Sequence, residues 1–413
     1  MRVLDGNSAA KVIKRLSTRG ASLAAYETQV KRIVQAVRRS GDLSLRRYAE
    51  KWDGLGPHEP LQVSEPEIKQ AWKSISPGLR TALSQAARNI RRFCEWQRPT
   101  SWTRTEDGAS LGQLVIPLDS VGCYVPGGRH ALVSTLLMTV IPAQVASVKS
   151  IRIVSPHPST EIMACCSLLG VAELYRVGGA HGIAALAYGT ETIPRVDRIV
   201  GPGNVYVTVA KKLVSFDCAI DFLAGPTEAV VLSDSGQPEF IAADLVSQAE
   251  HDPETLAVFI TTSRPLAQSV SRELARLSRR SKTARASFRK RGAVLLARSR
   301  EEARDWVNLL APEHVTISAD DLPFIRNAAS IFVGDYSPQA AGDYASGPNH
   351  VLPTSGQARF RGGLNVLDFV KLVSVQELSK NGLQRIAQTV ECLAELEGLR
   401  AHAESIQVRY ANA

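Results

Sequence analysis

Cysteine is sparse and unpatterned. Six residues (Cys94, Cys123, Cys165, Cys166, Cys218 and Cys392) are spread over 413 positions with no CxxC pair and no regular spacing. In a chain this long, that pattern excludes a disulfide framework and a thiolate zinc site. The N-terminus, MRVLDGNSAAKVIKRLSTRG, carries charge throughout and lacks an apolar core, so it does not read as a secretory signal. Long apolar runs are also scarce. Residues 131–148 carry no formal charge and approach membrane-span length, but Ser134, Thr135, Thr139, Pro142, Gln144 and Ser147 make them too polar to span. A buried helix is expected there, and a soluble cytoplasmic protein with no membrane partner. No repeat at fixed period and no low-complexity tract occurs.

Acidic residues are fewer than basic ones, 40 against 49, for a formal charge of +9. Hydrophobic residues at 44% and charged residues at 22% exclude a disordered or collagen-like chain. The surplus is local. Residues 270–300 hold eleven Lys or Arg and one acid, Glu273, so the remainder of the chain is close to neutral. That stretch contains a single aromatic, Phe288, whereas nucleic-acid surfaces interleave basic and aromatic groups. No nucleic-acid partner is expected, and the segment reads as a solvated helix face with its following loop.

The patterning predicts helices over 22–52 and 65–97; in the first, Val30, Ile33, Val34 and Val37 recur at helical spacing. LVIPLD, IRIVS, LYRVGG, RIVGPGN and AIDFLAGP are short β-branched runs closed by Gly or Pro, most of them separated by helical patterns, so 118–230 reads as a compact α/β unit. A second such pattern runs from EAVVLSD through LAVFITT, AVLLA, VTIS and SIFVG, with helices at 241–250, from about 265 and from 301. Leu383, Ile386, Val390, Leu393, Leu396 and Leu399 give the C-terminal 47 residues a helical period, enough to leave the body and pack on another subunit.

Four of the eight histidines, His251, His314, His350 and His402, sit in short polar clusters at element ends: SQAEHDP, APEH, AGDYASGPNH and ELEGLRAH. Gln248 and His251 are three apart and could face one point, as a metal site of N and O donors needs. A polar helix end accounts for that one pair more simply. Glu313–His314 joins an imidazole that titrates near neutrality to a carboxylate that can hold a water; a capping Glu beside a surface His is the plainer alternative. Three glycine-rich turns, VGCYVPGG, VGGAHG and VGPGN, each follow a strand-like run, where ligands of open parallel sheets bind. No GxGxxG with a following acid is present, so the ordinary dinucleotide fingerprint is absent, and turn geometry alone explains the glycines.

Taken together and in order, VGCYVPGG, GIAALAYGTETIP with VGPGNVYV, AIDFLAGPTE, DLVSQAEHDP, LAPEH, GDYASGPNHVLPTSG and EGLRAH closely resemble the histidinol dehydrogenase family, over residues 20–408. The resemblance implies oxidation of L-histidinol through L-histidinaldehyde to L-histidine, with two NAD+ and one zinc ion per subunit. It implies Gln248, His251, Asp343 and His402 as zinc ligands, the last reaching across a homodimer. It implies Glu313 and His314 as the catalytic pair, His314 as base in the first hydride step and Glu313 activating the water that hydrates the aldehyde. Thr227, His350 and Glu397 match substrate-contacting positions, with Gln248, His251, His314, Asp343 and His402 around the same ligand; Glu397 too would come across the interface. Tyr124 and Asn204 match NAD-contacting positions. His181 stands at a third, where the family usually has Gln, and His130-Ala131-Leu132 replaces the usual sequence after the PGG turn.

The fold expected on this basis is two Rossmann-like α/β domains with mostly parallel sheets. Residues 1–20 are expected as an N-terminal helical arm. Residues 21–117 and 231–366 are expected to form a discontinuous domain carrying most zinc and catalytic residues, 118–230 the NAD-contacting domain, and 367–413 a C-terminal helical tail exchanged in the dimer. Relatives that oxidise other hydroxylated compounds, such as sulfonated diols, form the alternative; Glu397, suited to a cationic amino group, favours histidinol.

Overall fold

A computed structural model describes residues 2–19, 23–127 and 132–409. His130 and Ala131 lie outside the described residues.

Two parallel sheets organise the chain. The smaller has five strands in the spatial order Leu174–Tyr175, Ser150–Val154, Ser120–Tyr124, Arg198–Val200, Ala219–Ile220. The larger has six, in the order Val3–Asp5, Gly292–Leu296, Leu256–Thr261, Glu228–Leu232, His314–Ile317, Ser330–Val333. Apart from the added edge strand Val3–Asp5, each sheet begins in its middle, runs outward to one side, and then returns to fill the other. This leaves a switch point between its first and fourth strands, and a crevice there at the carboxyl ends.

Both sheets are buried on both faces, as parallel sheets with crossover helices must be. Along Glu228–Leu232, Val230 and Leu232 join one core with Ile13, Leu295, Val307 and Val315, while Ala229 and Val231 join the other with Leu245, Phe259, Leu274 and Phe288. The two-residue period of a strand divides the core in this way. The smaller sheet does the same with Val121 and Cys123 on one face and Tyr124 on the other. The uncharged stretch is the helix Val133–Val145, buried on nearly all sides. Among the described residues, no helix is long and apolar enough to cross a membrane.

Several boundaries differ from those expected of the sequence. Residues 2–19 do not form an arm. Val3–Asp5 pairs with Gly292–Leu296, and the helix Gly6–Ser17 buries Ala9, Ile13 and Leu16 in the larger domain. The helices of residues 24–96 pack on the smaller sheet, not the larger: Val30, Val34 and Val37 lie with Ile183 and Val207, and Ile68, Leu83 and Ile90 with Val121 and Leu136. Helical periodicity shows that a face is buried but not which sheet buries it. The span 65–97 is two helices, Glu65–Ser74 and Pro77–Trp96, because Ser76 caps the second and Pro77 opens it. The span 22–52 bends at Gly41, at φ 47° and ψ −131°, where a side chain would collide with the Glu191 carboxylate.

LVIPLD is not part of the parallel unit. Strand Ala109–Pro117 lies between Trp102–Glu106 and Val370–Leu378 in a separate antiparallel sheet. The C-terminal tail therefore opens with a nine-residue strand, not a helix, before the helices Lys380–Leu396 and Arg400–Gln407. The basic segment is likewise not a helix and loop: Arg264–Leu277, Lys282–Arg291 and the interior strand Gly292–Leu296 account for most of it.

Candidate active site

The larger sheet gathers polar side chains at the amino ends of its strands. His314 opens one strand, and its register partner Ala229 follows Glu228, which opens the neighbouring strand. This register sets Glu313 beside Glu228: the Glu228 N–H donates to Glu313 Oε2 at 3.0 Å. The helix Pro238–Ala249 ends at the same edge and presents Gln248, and the short helix Gln339–Tyr344 presents Asp343.

Asp343 is the hub. Its Oδ2 accepts from Gln248 Nε2 at 2.7 Å, its Oδ1 lies 3.4 Å from His314 Nε2, and its backbone carbonyl accepts from His350 Nδ1 at 2.6 Å. Gln248 is 1% exposed, and its Oε1 is buried without a hydrogen-bond partner. His314 is buried, stacks on Phe332 with ring centroids 5.8 Å apart, and has an unpartnered Nδ1, 3.9 Å from Glu313 Oε2.

Burial dominates the electrostatics and pulls the groups in different directions. It pushes the Glu313 carboxyl up to about 8, against the attraction of His314 and the Glu228 N–H. The same burial works to lower the His314 imidazole, but the Glu313 and Asp343 carboxylates outweigh it and raise its affinity for a proton. Burial would raise Asp343, yet His314, His350 and Gln248 hold it below the usual carboxylate range. His350 is lowered, chiefly by burial. Buried groups whose proton affinities are shifted in this way are suited to proton transfer.

The remaining expected residues are less concentrated. Thr227 lies directly before Glu228, its carbonyl held by the Leu256 N–H at 2.9 Å. His251 is exposed beyond the end of the Gln248 helix, within electrostatic range of His350. Glu397 and His402 are exposed, after and within the two C-terminal helices, which pack on one another. Among the described residues, no three His, Cys, Asp or Glu side chains come together as a metal cage within the single chain.

The glycine-rich turns lie at the carboxyl edge of the smaller sheet. Tyr124 ends its first strand, and Gly201 to Asn204 follow its fourth, so both face the switch point. Asn204 caps the helix Val205–Val214, accepting from Tyr206 N at 3.0 Å and Val207 N at 3.2 Å. Gly201, at φ 114°, has no room for a side chain against the Tyr124 carbonyl. A buried ion pair, Lys211–Asp221, fixes this turn: Lys211 Nζ donates to the Gly201 carbonyl at 2.9 Å, and Asp221 Oδ2 accepts from the Gly201 N–H at 2.8 Å. Tyr124 is buried, and its hydroxyl accepts from Gly179 N at 3.3 Å. His181 is 1% exposed; its Nε2 pairs with Asp53 Oδ2 at 2.7 Å, and its Nδ1 has no partner. Residues 221–227 run from the carboxyl edge of the smaller sheet to the amino edge of the larger, joining the two candidate sites.

Two residues at the site were missed in the sequence. Glu228 accepts both arms of the Arg19 guanidinium, at 2.6 and 2.5 Å, and the Ser355 N–H at 2.8 Å. A carboxylate heading a run as apolar as EAVVL signals a buried charge that needs a partner. Nothing in the sequence marks Arg19 as that partner.

The family model described as histidinol dehydrogenase matches residues 16–410. A histidinol dehydrogenase of Methanothermobacter thermautotrophicus is 46% identical over 392 residues, 91% of this chain and 92% of its own. One from Aquifex aeolicus is 44% identical over 394 residues, 93% and 92% of the two chains. The solved histidinol dehydrogenase of Elizabethkingia anophelis superposes with a TM-score of 0.94 at 33% identity, covering 100% of this chain and 98% of that one.

Proposed function

The chain belongs to the histidinol dehydrogenase family, and from that premise we propose how its residues divide the work. The protein is an oxidoreductase of histidine biosynthesis that acts on the CH–OH group of L-histidinol.

Gln248, His251, Asp343 and His402 of the partner subunit would hold a zinc ion. The single observation that carries this is Gln248 Oε1, a buried amide oxygen with no partner beside the Asp343 carboxylate. An orphaned acceptor at such a site is costly unless something electropositive meets it. The donor set is amide oxygen, carboxylate and two imidazoles, which suits zinc. When bound, zinc supplies a Lewis acid and an anchor for the nitrogens of the substrate. Only part of the set lies together within one chain, which supports a ligand arriving from a second subunit.

His314 takes the hydroxyl proton of histidinol. Its Nε2 lies 3.4 Å from Asp343, which holds the imidazole in place for that transfer. Glu313 then holds and deprotonates the water that adds to the aldehyde carbon, giving the hydrate that the second oxidation requires. Tyr124, His181 and Asn204 would hold NAD+ in the crevice at the carboxyl edge of the smaller sheet, where the nicotinamide would supply a hydride acceptor. Thr227, His350 and Glu397 of the partner subunit would contact the substrate.

The homodimer is supported by exposed apolar surface. Leu111, Leu114, Ile116, Leu372, Val373 and Val375 project from the antiparallel sheet, and Leu393 and Leu396 from the C-terminal helix. Patches of this kind mark interfaces. A sulfonated substrate would call for a free cation at the metal, but Arg19, a guanidinium beside Glu313 at this edge, is committed to Glu228.

Substrate profiling tests the reading. NADH should form from L-histidinol and from L-histidinaldehyde, and not from a sulfonated diol. Turnover of the diol with none of histidinol would overturn it.

A further inference from the structure

We propose that Arg19 and Glu228 are positioning residues for Glu313, so that the N-terminal segment governs the aldehyde-oxidising half of the reaction. The inference rests on the reading of Glu313 as the group that directs water onto the aldehyde.

Arg19 follows the helix Gly6–Ser17, whose Ala9, Ile13 and Leu16 are packed into the larger domain. Its guanidinium is held at the base by the Leu16 carbonyl at 2.8 Å, and its side chain is 5% exposed. Both arms engage Glu228, Nε with Oε1 and Nη2 with Oε2, the fork-to-carboxylate geometry that fixes orientation as well as distance. Glu228 Oε1 also accepts from Ser355 N, in the segment that follows His350. The side chain of Glu228 is therefore fixed from two segments, and its backbone N–H is the donor that holds Glu313 Oε2.

Orientation passes from Arg19 through Glu228 to the reacting carboxylate. Without Arg19, a buried carboxylate keeps a single N–H partner and must shift, admit water or take up a proton. Each response moves the peptide that orients Glu313, and an ångström of misplacement is enough to slow a positioned proton transfer. Glu228 also adds to the negative field at Glu313. His314, the base of the first step, touches the Glu228 backbone as well, but it is also held by Asp343 and by stacking on Phe332, which Arg19 does not reach. The two half-reactions should therefore respond differently.

The test uses the full-length zinc-loaded enzyme with NAD+, comparing Arg19→Ala, Arg19→Lys and Glu313→Gln with the parent. The readouts are NADH formed per L-histidinol consumed, free L-histidinaldehyde, and the rate with L-histidinaldehyde supplied. For Arg19→Ala the aldehyde step should slow about tenfold more than the alcohol step. NADH per histidinol should fall from two toward one as aldehyde is released. Arg19→Lys, which keeps the charge and loses the fork, should fall between, and it decides the matter if Arg19→Ala does not fold. Equal slowing of both halves, or unchanged partition, in a variant series where Glu313→Gln does stall at the aldehyde would overturn the pairing. A Glu313→Gln enzyme that oxidises aldehyde normally would instead refute the role given to Glu313, and the inference with it.

Discussion

Gln248 donates an amide hydrogen to Asp343 at 2.7 Å and keeps its own Oε1 buried without a partner. The two side chains arrive from different helices, and the pair leaves an acceptor beside a carboxylate with no proton to share. Gln248→Ala should weaken zinc binding by about ten- to a hundredfold, the usual cost of losing a ligand or its support. Chelator competition on the purified protein reads this directly. Unchanged affinity would remove Gln248 from the metal site.

Glu313 should leave a signature in stability. Its folded-state proton affinity is raised to about 8 by burial, well above the ordinary 4.5. Between those values the folded chain holds a proton that the unfolded chain has lost, so stability is full below about 4.5 and declines as pH rises toward 8. Glu313→Gln removes this group. Urea unfolding of the metal-free protein across that window should show a flatter pH dependence for the variant than for the parent. In turnover, the same substitution should slow the aldehyde step by about a hundredfold.

The exposed His402 and Glu397 predict complementation. Measured as L-histidine formed, Glu313→Gln and His402→Ala chains should each be nearly inactive alone. Mixed under conditions that exchange subunits, they should recover about a quarter of parental activity, because half the dimers then hold one intact site of two. No recovery despite demonstrated exchange would argue that each site is built within one chain.

Lys211 and Asp221 are 3% and 0% exposed at the side chain and clasp Gly201 from both sides. Lys211→Met strands a buried carboxylate and should cost about 3 kcal/mol in urea unfolding. Adding Asp221→Asn should restore much of that loss. NAD+ affinity, measured by calorimetry, should fall in the single variant because the turn bearing Asn204 loses its fastening.

The sequence disclosed the parts of the site that lie within short runs. Glu313 and His314 are adjacent, Asp343 and His350 share one short run, and the glycine turns follow apolar strands. What it concealed depends on pairing between distant segments. Periodicity buried Val30, Val34 and Val37 but could not say that they meet Ile183 and Val207. Strand Val370–Leu378 alternates too little to stand out, since eight of its nine residues are exposed in the single chain. Arg19 lies 209 residues from Glu228, and the parallel pairing of Val3–Asp5 with Gly292–Leu296, with the burial of Ala9, Ile13 and Leu16, brings its helix to the larger domain. Local rules placed the chemistry, while the long-range topology decided what holds it.

Zinc dependence is tested most directly by NADH formation from L-histidinol in metal-stripped and zinc-restored protein, after a strong chelator has removed any slowly exchanging ion. Stripped protein should form no NADH and zinc should restore it, with Gln248→Ala needing far more metal for the same recovery. Undiminished turnover by protein shown to contain no metal would contradict the roles given to Gln248, His251, Asp343 and His402.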